Sequence, residues 1–310
     1  MDQYITEVGR REDLEQIECN PVLGYIGTKA YPVLEVTQKT GTIYHATLTA
    51  DSAAQAAVAR GTALTTVRLT ATANTYSCTS LEERYAVPRD EVKQMGDIGK
   101  ADRLGGTASK RSVQRGVETA LAAQLQTVGS HQTDAHVSGS FLAEAQTALE
   151  AVRRYPGSKA LMLGKSAFHG IMRYTEVLNQ FSLAALALGG SSAEAVLAGR
   201  PEALKMLLAG IIGVDEVLVG DDDHWGVDVG SSGIGCNAVF LSLPGDDEFC
   251  HKLDPVLGRL VQYLPDGKQA FLVESYYNRS LKENVYDAET WYSIEEYNPE
   301  AAYVLTDVIA

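Results

Sequence analysis

The sequence predicts an α+β fold, and three observations carry that reading. Toward the C-terminus, Val285, Asp287, Glu289, Trp291 and Ser293 alternate with Tyr286, Ala288, Thr290, Tyr292 and Ile294, the period-two pattern of a half-buried strand. Upstream, Val113, Val117, Leu121 and Leu125 recur every four residues, which lays one apolar stripe along a helix. Between them, from about 140 to 219, short apolar runs interleave with helical patterns, as in a compact α/β unit.

Taken in chain order, residues 1–36 mix charge with Pro21, Gly24, Gly27 and Pro32 and hold no sustained period. From 37 to 76 the composition changes. Thr37, Thr40, Thr42, Ile43, Tyr44, Ala46, Thr47 and Leu48 favour strand, as do Thr65, Thr66, Val67, Leu69 and Thr70. Asp51–Gly61 between them reads as a short helix or ordered tip. A ribbon of this length has too little core of its own to stand alone in water. It needs a partner surface, and a neighbouring subunit is the natural one.

Gly96, Gly99, Gly105 and Gly106 mark irregular chain before a helix from about Ser109 to Thr127, with Gly129 placed to stop it. A second helix runs from about Ser140 to Tyr155, burying Leu142, Ala145, Leu149 and Val152 and ending at Pro156-Gly157. A strand through Ala160–Leu163 and a helix from Lys165 follow. The Ala, Gly and Ser run from Ala184 to Gly199 reads as a surface excursion. Pro201 opens another helix at its first turn, with Leu204, Leu207, Leu208 and Ile211 on one face and Gly213 at its end. Val214–Val219 and Asn237–Leu241 read as strands. Tyr276 to Tyr292 reads as one long strand, followed by a turn around Asn298-Pro299 and a short strand through Tyr303 and Val304. No internal repeat is visible.

In this order the pieces resemble tailed-phage major capsid proteins of the Hong Kong 97 fold. The long C-terminal strand followed by an aliphatic strand is similar to that family's C-terminus. Tyr76–Glu91 looks like the strand before its long spine helix. Leu161–Phe168, with Val217–Gly220, looks like the framework of its axial domain. The resemblance spans nearly the whole chain. It implies an N-terminal arm (1–36) lying on a neighbour and an extended β-hairpin loop (37–76). It further implies a peripheral domain (77–136 and 265–297, spine helix about 109–127) and an axial α/β domain (137–264 and 298–310).

The function so implied is that of a major capsid protein. Copies self-assemble as pentamers and hexamers into an icosahedral head around phage double-stranded DNA, which they enclose without sequence-specific binding. The implied partners are portal and scaffolding proteins, with room for a decoration protein; the implied location is the virion, after assembly in the host bacterial cytoplasm. An encapsulin-type shell for enzyme cargo is the alternative within the same fold, and genomic neighbourhood would discriminate the two.

Composition sets bounds on function. The 310 residues can bury a sizeable core, and 45% hydrophobic with 21% charged residues is ordinary for a folded protein. A formal net charge of −14 argues against a nucleic-acid footprint and against docking on an anionic membrane. For a shell around DNA it is sensible, because a wall that gripped phosphates would hinder packaging and ejection. The start of the chain lacks the regions of a signal peptide, and no stretch approaches the roughly 18 apolar residues of a membrane span. Cys19, Cys78, Cys236 and Cys250 are widely separated, which favours reduced packing thiols over disulfides or a zinc site.

Several motifs invite an enzymatic or metal reading. Gly230-Ser231-Ser232-Gly233-Ile234-Gly235 resembles the glycine-rich turn of short-chain dehydrogenases, whose bare amides approach a pyrophosphate. Such a turn should follow the first strand of a βαβ unit; this one precedes a strand, and no Tyr-x-x-x-Lys pair follows. A nucleotide-dependent oxidoreductase on Gly230–Gly235 is the reading of another class, and a flexible turn is the better one. Asp221, Asp222 and Asp223 with His224 and Asp228 offer oxygens to a hard cation, but not in EF-hand spacing, so a solvated acidic loop is favoured. Asp246-Asp247-Glu248 with His251 reads the same way. The six histidines form no His-x-x-x-His pair, and no Gly-x-Ser-x-Gly elbow or P-loop occurs. No catalytic residue, cofactor or metal ligand is therefore assigned. Trp225 and Trp291 read as packing anchors.

The functional residues expected are those of subunit contact: Arg10, Arg11, Asp51, Arg60 and Arg68. The arm-like region begins almost at Met1, so a separate scaffolding protein and little N-terminal trimming are expected. From Thr40 to Tyr76 there is no lysine, and Lys39 lies at the base of the ribbon. Arginine cannot replace it as an amine nucleophile, so subunits are expected to hold one another non-covalently.

Overall fold

A computed structural model describes residues 9–10, 14, 25–47, 70–128, 141–155, 157–187, 201–225, 237–243, 257–265, 270–306 and 308. In chain order these form β1 (Gly9–Arg10), the single turn α1 (Gly27–Ala30) and β2 (Val33–Val36). A hairpin of β3 (Thr40–Thr47) and β4 (Thr70–Ser77) follows. β5 (Thr79–Pro88) leads to α2 (Arg89–Met95) and the long α3 (Ile98–Thr127). Then come α4 (Phe141–Arg153), β6 (Lys159–Gly164), α5 (Lys165–Ile171) and α6 (Thr175–Ala187). α7 (Pro201–Ile212), β7 (Glu216–Gly220) and the one-turn α8 (Asp222–Trp225) precede β8 (Ala238–Ser242). β9 (Gly258–Tyr263), β10 (Leu272–Asn278), β11 (Glu283–Glu296) and β12 (Ala302–Leu305) complete the described chain.

The strands sort into two main sheets plus the β3–β4 hairpin. One has the order β12-β8-β6-β7. Its strands are apolar at successive positions because both faces are covered. Leu161, Leu163 and Phe240 enter a core with α4, α5 and α7, while Ala160, Met162, Val239 and Leu241 enter a second core with α3 and β9. The other sheet runs β1-β10-β11-β9-β2, with β5 also on β11. Trp291 pairs with both Ser80 and Tyr263, so β5 lies on one edge of β11 while β10 and then β9 share the other. Thr290 spans the break between them, donating to the Ala270 carbonyl at 2.7 Å and accepting from Gln262 Nε2 at 3.2 Å.

Four expectations need correction. The long helix starts at Ile98, not near Ser109. Asp97 caps it by accepting from the Gly99 amide at 2.9 Å. Gly105 lies within it, where a Cβ would overlap the ring of Tyr286 on β11. Gly105 is thus a close-approach point of helix on strand and Gly106 one against Leu14, whereas Gly96, at a φ of 68°, does break the chain by ending α2 before the long helix begins. Second, Tyr276–Tyr292 is not one strand but the β10–β11 hairpin, paired from Leu272↔Glu289 to Asn278↔Glu283. Asn278 Oδ1 accepts from the amides of Ser280 (3.1 Å) and Leu281 (3.3 Å), and Lys282 takes a φ of 58° to close the turn. Third, Tyr76–Glu91 is not one strand: it holds the end of β4, all of β5 and the start of α2. Fourth, Ala184–Ala187 belongs to α6. The Asp51–Gly61 tip and most of the Thr65–Thr70 segment lie outside the described residues.

Candidate assembly surface

The β3–β4 hairpin has two unlike faces. Gly41, Ile43 and His45 share one face with Asn74 and Tyr76, opposite which they pair or lie diagonal. That face turns inward. His45 and Tyr76 are buried, and Ile43 packs with Tyr76, Cys78, Val261 and Trp291. Gly41 is bare where the Tyr76 ring crosses it, and Tyr76 donates its hydroxyl to the Gln38 carbonyl at 3.2 Å. The Lys39 ammonium stands 4.4 Å from the Trp291 ring centroid and 5.6 Å from that of Tyr263. The near part of the ribbon therefore finds its cover within its own chain, where a neighbouring subunit had been expected. On the outer face Thr42, Tyr44, Ala73, Thr75 and Ser77 are exposed, and Tyr44 is 68% exposed, far beyond what a core tyrosine shows.

A second feature fixes the segment Tyr25–Tyr31. Glu118, near the middle of α3, is 2% exposed. Its Oε1 accepts from the amides of Ile26 (2.7 Å) and Gly27 (2.9 Å) and from Trp225 Nε1 (2.9 Å). These donors replace the water a buried carboxylate loses. At the end of the segment, the Tyr31 hydroxyl donates to Glu296 Oε1 at 3.0 Å, and Gln124 Nε2 donates to the same oxygen at 2.7 Å. Burial, then the adjoining Glu296 charge, raises the Tyr31 phenol well above its ordinary value. Tyr25 is also raised, mainly by burial, against a hydrogen bond with Arg115. Two carboxylates on distant elements thus clamp one stretch of early chain. Neither was assigned from the sequence, where a lone Glu in a helix or at a strand end reads as surface.

The acidic loop is solvent-exposed at Asp222 and Asp223, as expected, but its carboxylates are also tied to the fold. Asp221 accepts from Lys165 Nζ at 2.8 Å, and that bond holds its carboxyl below the ordinary value. Asp222 accepts from the Ser166 amide and hydroxyl, both at 2.9 Å, and so caps α5. Asp223 faces Arg115 at 3.5 Å. His224 is buried, with Nδ1 2.8 Å from Thr119 Oγ1; desolvation lowers its basicity. The loop joins α8 to α3 and α5 with its oxygens engaged by protein donors. Among the described residues no group of His, Cys, Asp and Glu is arranged to hold a metal ion.

Of the expected contact residues, Arg10 is placed in β1, its backbone opposite Glu274. Arg11, Asp51, Arg60 and Arg68 lie outside the described residues, as do Gly230–Gly235, Asp228, Asp246–Glu248 and His251. Trp225 and Trp291 are both packed, as expected. Cys78 is a buried free thiol, its pKa pushed up first by burial and next by Glu295. Among the described residues no helix is long and apolar enough to cross a membrane.

Neither a family model nor a curated protein sequence matches the chain. Solved structures do. A phage-related protein from Bordetella bronchiseptica RB50 aligns over 98% of both chains at 17% identity and a TM-score of 0.60. A virus-like particle from Pyrococcus furiosus aligns over 89% of this chain and 90% of its own at 12% identity and a TM-score of 0.51. The capsid of cyanophage P-SCSP1u aligns over 94% and 90% at 10% identity and a TM-score of 0.50. At these identities the likeness is one of fold, and it runs nearly end to end.

Proposed function

We propose that the chain is a major capsid protein whose copies build an icosahedral head of the Hong Kong 97 type around phage double-stranded DNA. The observation that carries the reading is a likeness covering 98% of both chains with a phage-related protein, joined by the cyanophage capsid. The match extends over nearly the whole of both chains and is not confined to one part of the fold. A fold shared over its whole length is still not a function, so surface and charge must agree with it. They do: the hairpin carries an exposed outer face, β5 has an outer edge without a strand partner among the described residues, and the net charge of −14 suits a wall that does not grip DNA.

In this reading residues 1–36 form an arm, 37–76 a loop contacting neighbours, 77–136 with 265–297 a peripheral domain built on α3, and 137–264 with 298–310 an axial domain. Two observations bear on those boundaries. β11 and β12 lie in different sheets, while β9, inside the 137–264 segment, joins the sheet of β11. Arg10, Arg11, Asp51, Arg60 and Arg68 are the proposed contact residues. Pentamers and hexamers, portal and scaffolding partners, location in the virion and assembly in a bacterial cytoplasm belong to the same proposal. The likeness to a virus-like particle favours, as a second reading, a shell of the encapsulin type.

Negative-stain microscopy and light scattering of the expressed chain, alone and with a scaffolding protein encoded nearby, test this. Rings or closed shells are expected. A strictly monomeric species under both conditions at high concentration would count against either shell reading.

A further inference from the structure

We infer that His45 and Tyr297 form a latch that holds the β3–β4 hairpin against its own chain and opens when His45 takes up a proton. The two rings lie 4.2 Å apart between centroids and 8° from coplanar, a face-to-face stack. His45 projects from the inner face of the hairpin; Tyr297 lies between the end of β11 and the turn into β12. Both are buried, at 8% exposure each. This stack lies farther along the hairpin than the Lys39–Trp291 contact at its base.

The pocket suits a neutral imidazole and not a cation. His45 Nδ1 and the Tyr297 hydroxyl are both buried without a hydrogen-bond partner among the described residues. A protonated ring would therefore bury a charged donor with no acceptor for it among the described residues. The charged groups around the pair face Tyr297: Arg259 of β9 and Glu295 of β11. Glu295 also faces the Cys78 thiol and accepts from the Ser293 hydroxyl at 2.5 Å. None of these is a partner of His45 Nδ1. Burial accordingly depresses the basicity of His45 and, with Glu295, raises the Tyr297 phenol to about 12.

The direction of the response follows. With its pKa lowered only while docked, His45 adds no penalty above the ordinary imidazole value of 6.5. As pH falls below that value the undocked hairpin binds more protons, and undocking is favoured. The base of the ribbon stays tied by apolar contacts under Ile43 and Tyr76, which do not titrate in this range. Opening is therefore confined to the part of the hairpin beyond Ile43.

Hydrogen exchange with mass spectrometry on the full chain tests the latch, with wild type and variants compared in one assembly state and rates corrected for intrinsic pH dependence. Protection of peptides covering 43–47 should fall by up to about tenfold between roughly pH 7.5 and 5.5, the limit set by one ordinary histidine pKa. Peptides in β6 and β8 should not change. His45→Phe keeps an aromatic ring without a titrating group, and its protection should stay flat. If that variant does not fold, His45→Gln should show weaker but equally flat protection. Tyr297→Phe should keep the pH response, since the ring remains. A flat wild-type profile, or an equal fall in a folded His45 variant, would overturn the proposal. Either outcome concerns the chain's own fold and is distinct from any failure to form shells.

Discussion

The indole N–H of Trp225 donates to Glu118 Oε1 at 2.9 Å, across 107 positions of sequence. The same oxygen takes the amides of Ile26 and Gly27, so one carboxylate on α3 joins the early chain, the helix and α8. Its stability role follows from what its removal leaves behind. Each bond to a charged group contributes about 1.5–3 kcal/mol, and each orphaned buried donor costs about 1–3 kcal/mol, without simple additivity. Glu118→Ala is expected to destabilise by about 3–5 kcal/mol and Glu118→Gln by about half as much, since one acceptor oxygen remains. Urea unfolding monitored by tryptophan fluorescence reads this. A shift under about 1 kcal/mol for the alanine variant would remove Glu118 from this role.

Two glycines in helices should respond with opposite signs to the same substitution. A Cβ at Gly105 would overlap the Tyr286 ring, which is itself fixed by donating to Asp102 Oδ1 at 2.5 Å. Gly105→Ala must separate α3 from β11 and is expected to cost about 1–3 kcal/mol or more. Gly210, on α7, has open space around it and no unusual φ. Gly210→Ala should stabilise by about 0.5–1 kcal/mol through reduced freedom of the unfolded chain. Thermal melts of the pair decide the matter; equal effects would mean that α3 does not rest on Tyr286 as described.

Much of this fold is legible in the sequence because burial leaves periodic traces. The buried runs at Ala160–Leu163 and Ala238–Leu241 and the four-residue stripe of α3 all locate true elements. The failures have physical reasons. Gly105 signals a break to any propensity argument, and only the Tyr286 ring on another element explains why a helix keeps it. The β10–β11 turn at Asn278–Lys282 has no Asn-Gly or Asp-Gly pair, so strand-favouring tyrosines on either side masked it. The Glu118 and Glu296 anchors are single residues whose donors lie at least 91 and 172 positions away, a separation that no local pattern encodes.

Acid should weaken one tie of the acidic loop. Asp221 is held below its ordinary 3.8 chiefly by the hydrogen bond from Lys165. A depressed carboxyl contributes stability above its unfolded value and loses it as pH falls through the folded one. Both partners are more than a third exposed, so the tie is worth only about 0–1 kcal/mol. Lys165→Met should therefore be slightly less stable than wild type near about pH 6, with the gap closing toward about pH 2.5. A gap that does not change with pH would assign the loss to packing of the lysine stem.

Covalent joining of subunits through the hairpin is not expected. A lysine joined to a neighbouring residue must present its amine outward as a nucleophile. From Thr40 to Tyr76 the chain has no lysine, and Lys39 directs its ammonium onto the rings of Trp291 and Tyr263. A shell built from this chain would be held by buried apolar area and by ion pairs, each worth about 0–1 kcal/mol where exposed, so buried area and repetition over many subunits must dominate. Particles boiled in detergent under reducing conditions should release a single band near 33.3 kDa. Lys39→Ala should leave that band unchanged while lowering subunit stability by about 0.5–2 kcal/mol through loss of the cation–π contact. A ladder of oligomers that survives boiling in wild type and disappears in Lys39→Ala would show that Lys39 leaves Trp291 during assembly and reacts, overturning the argument.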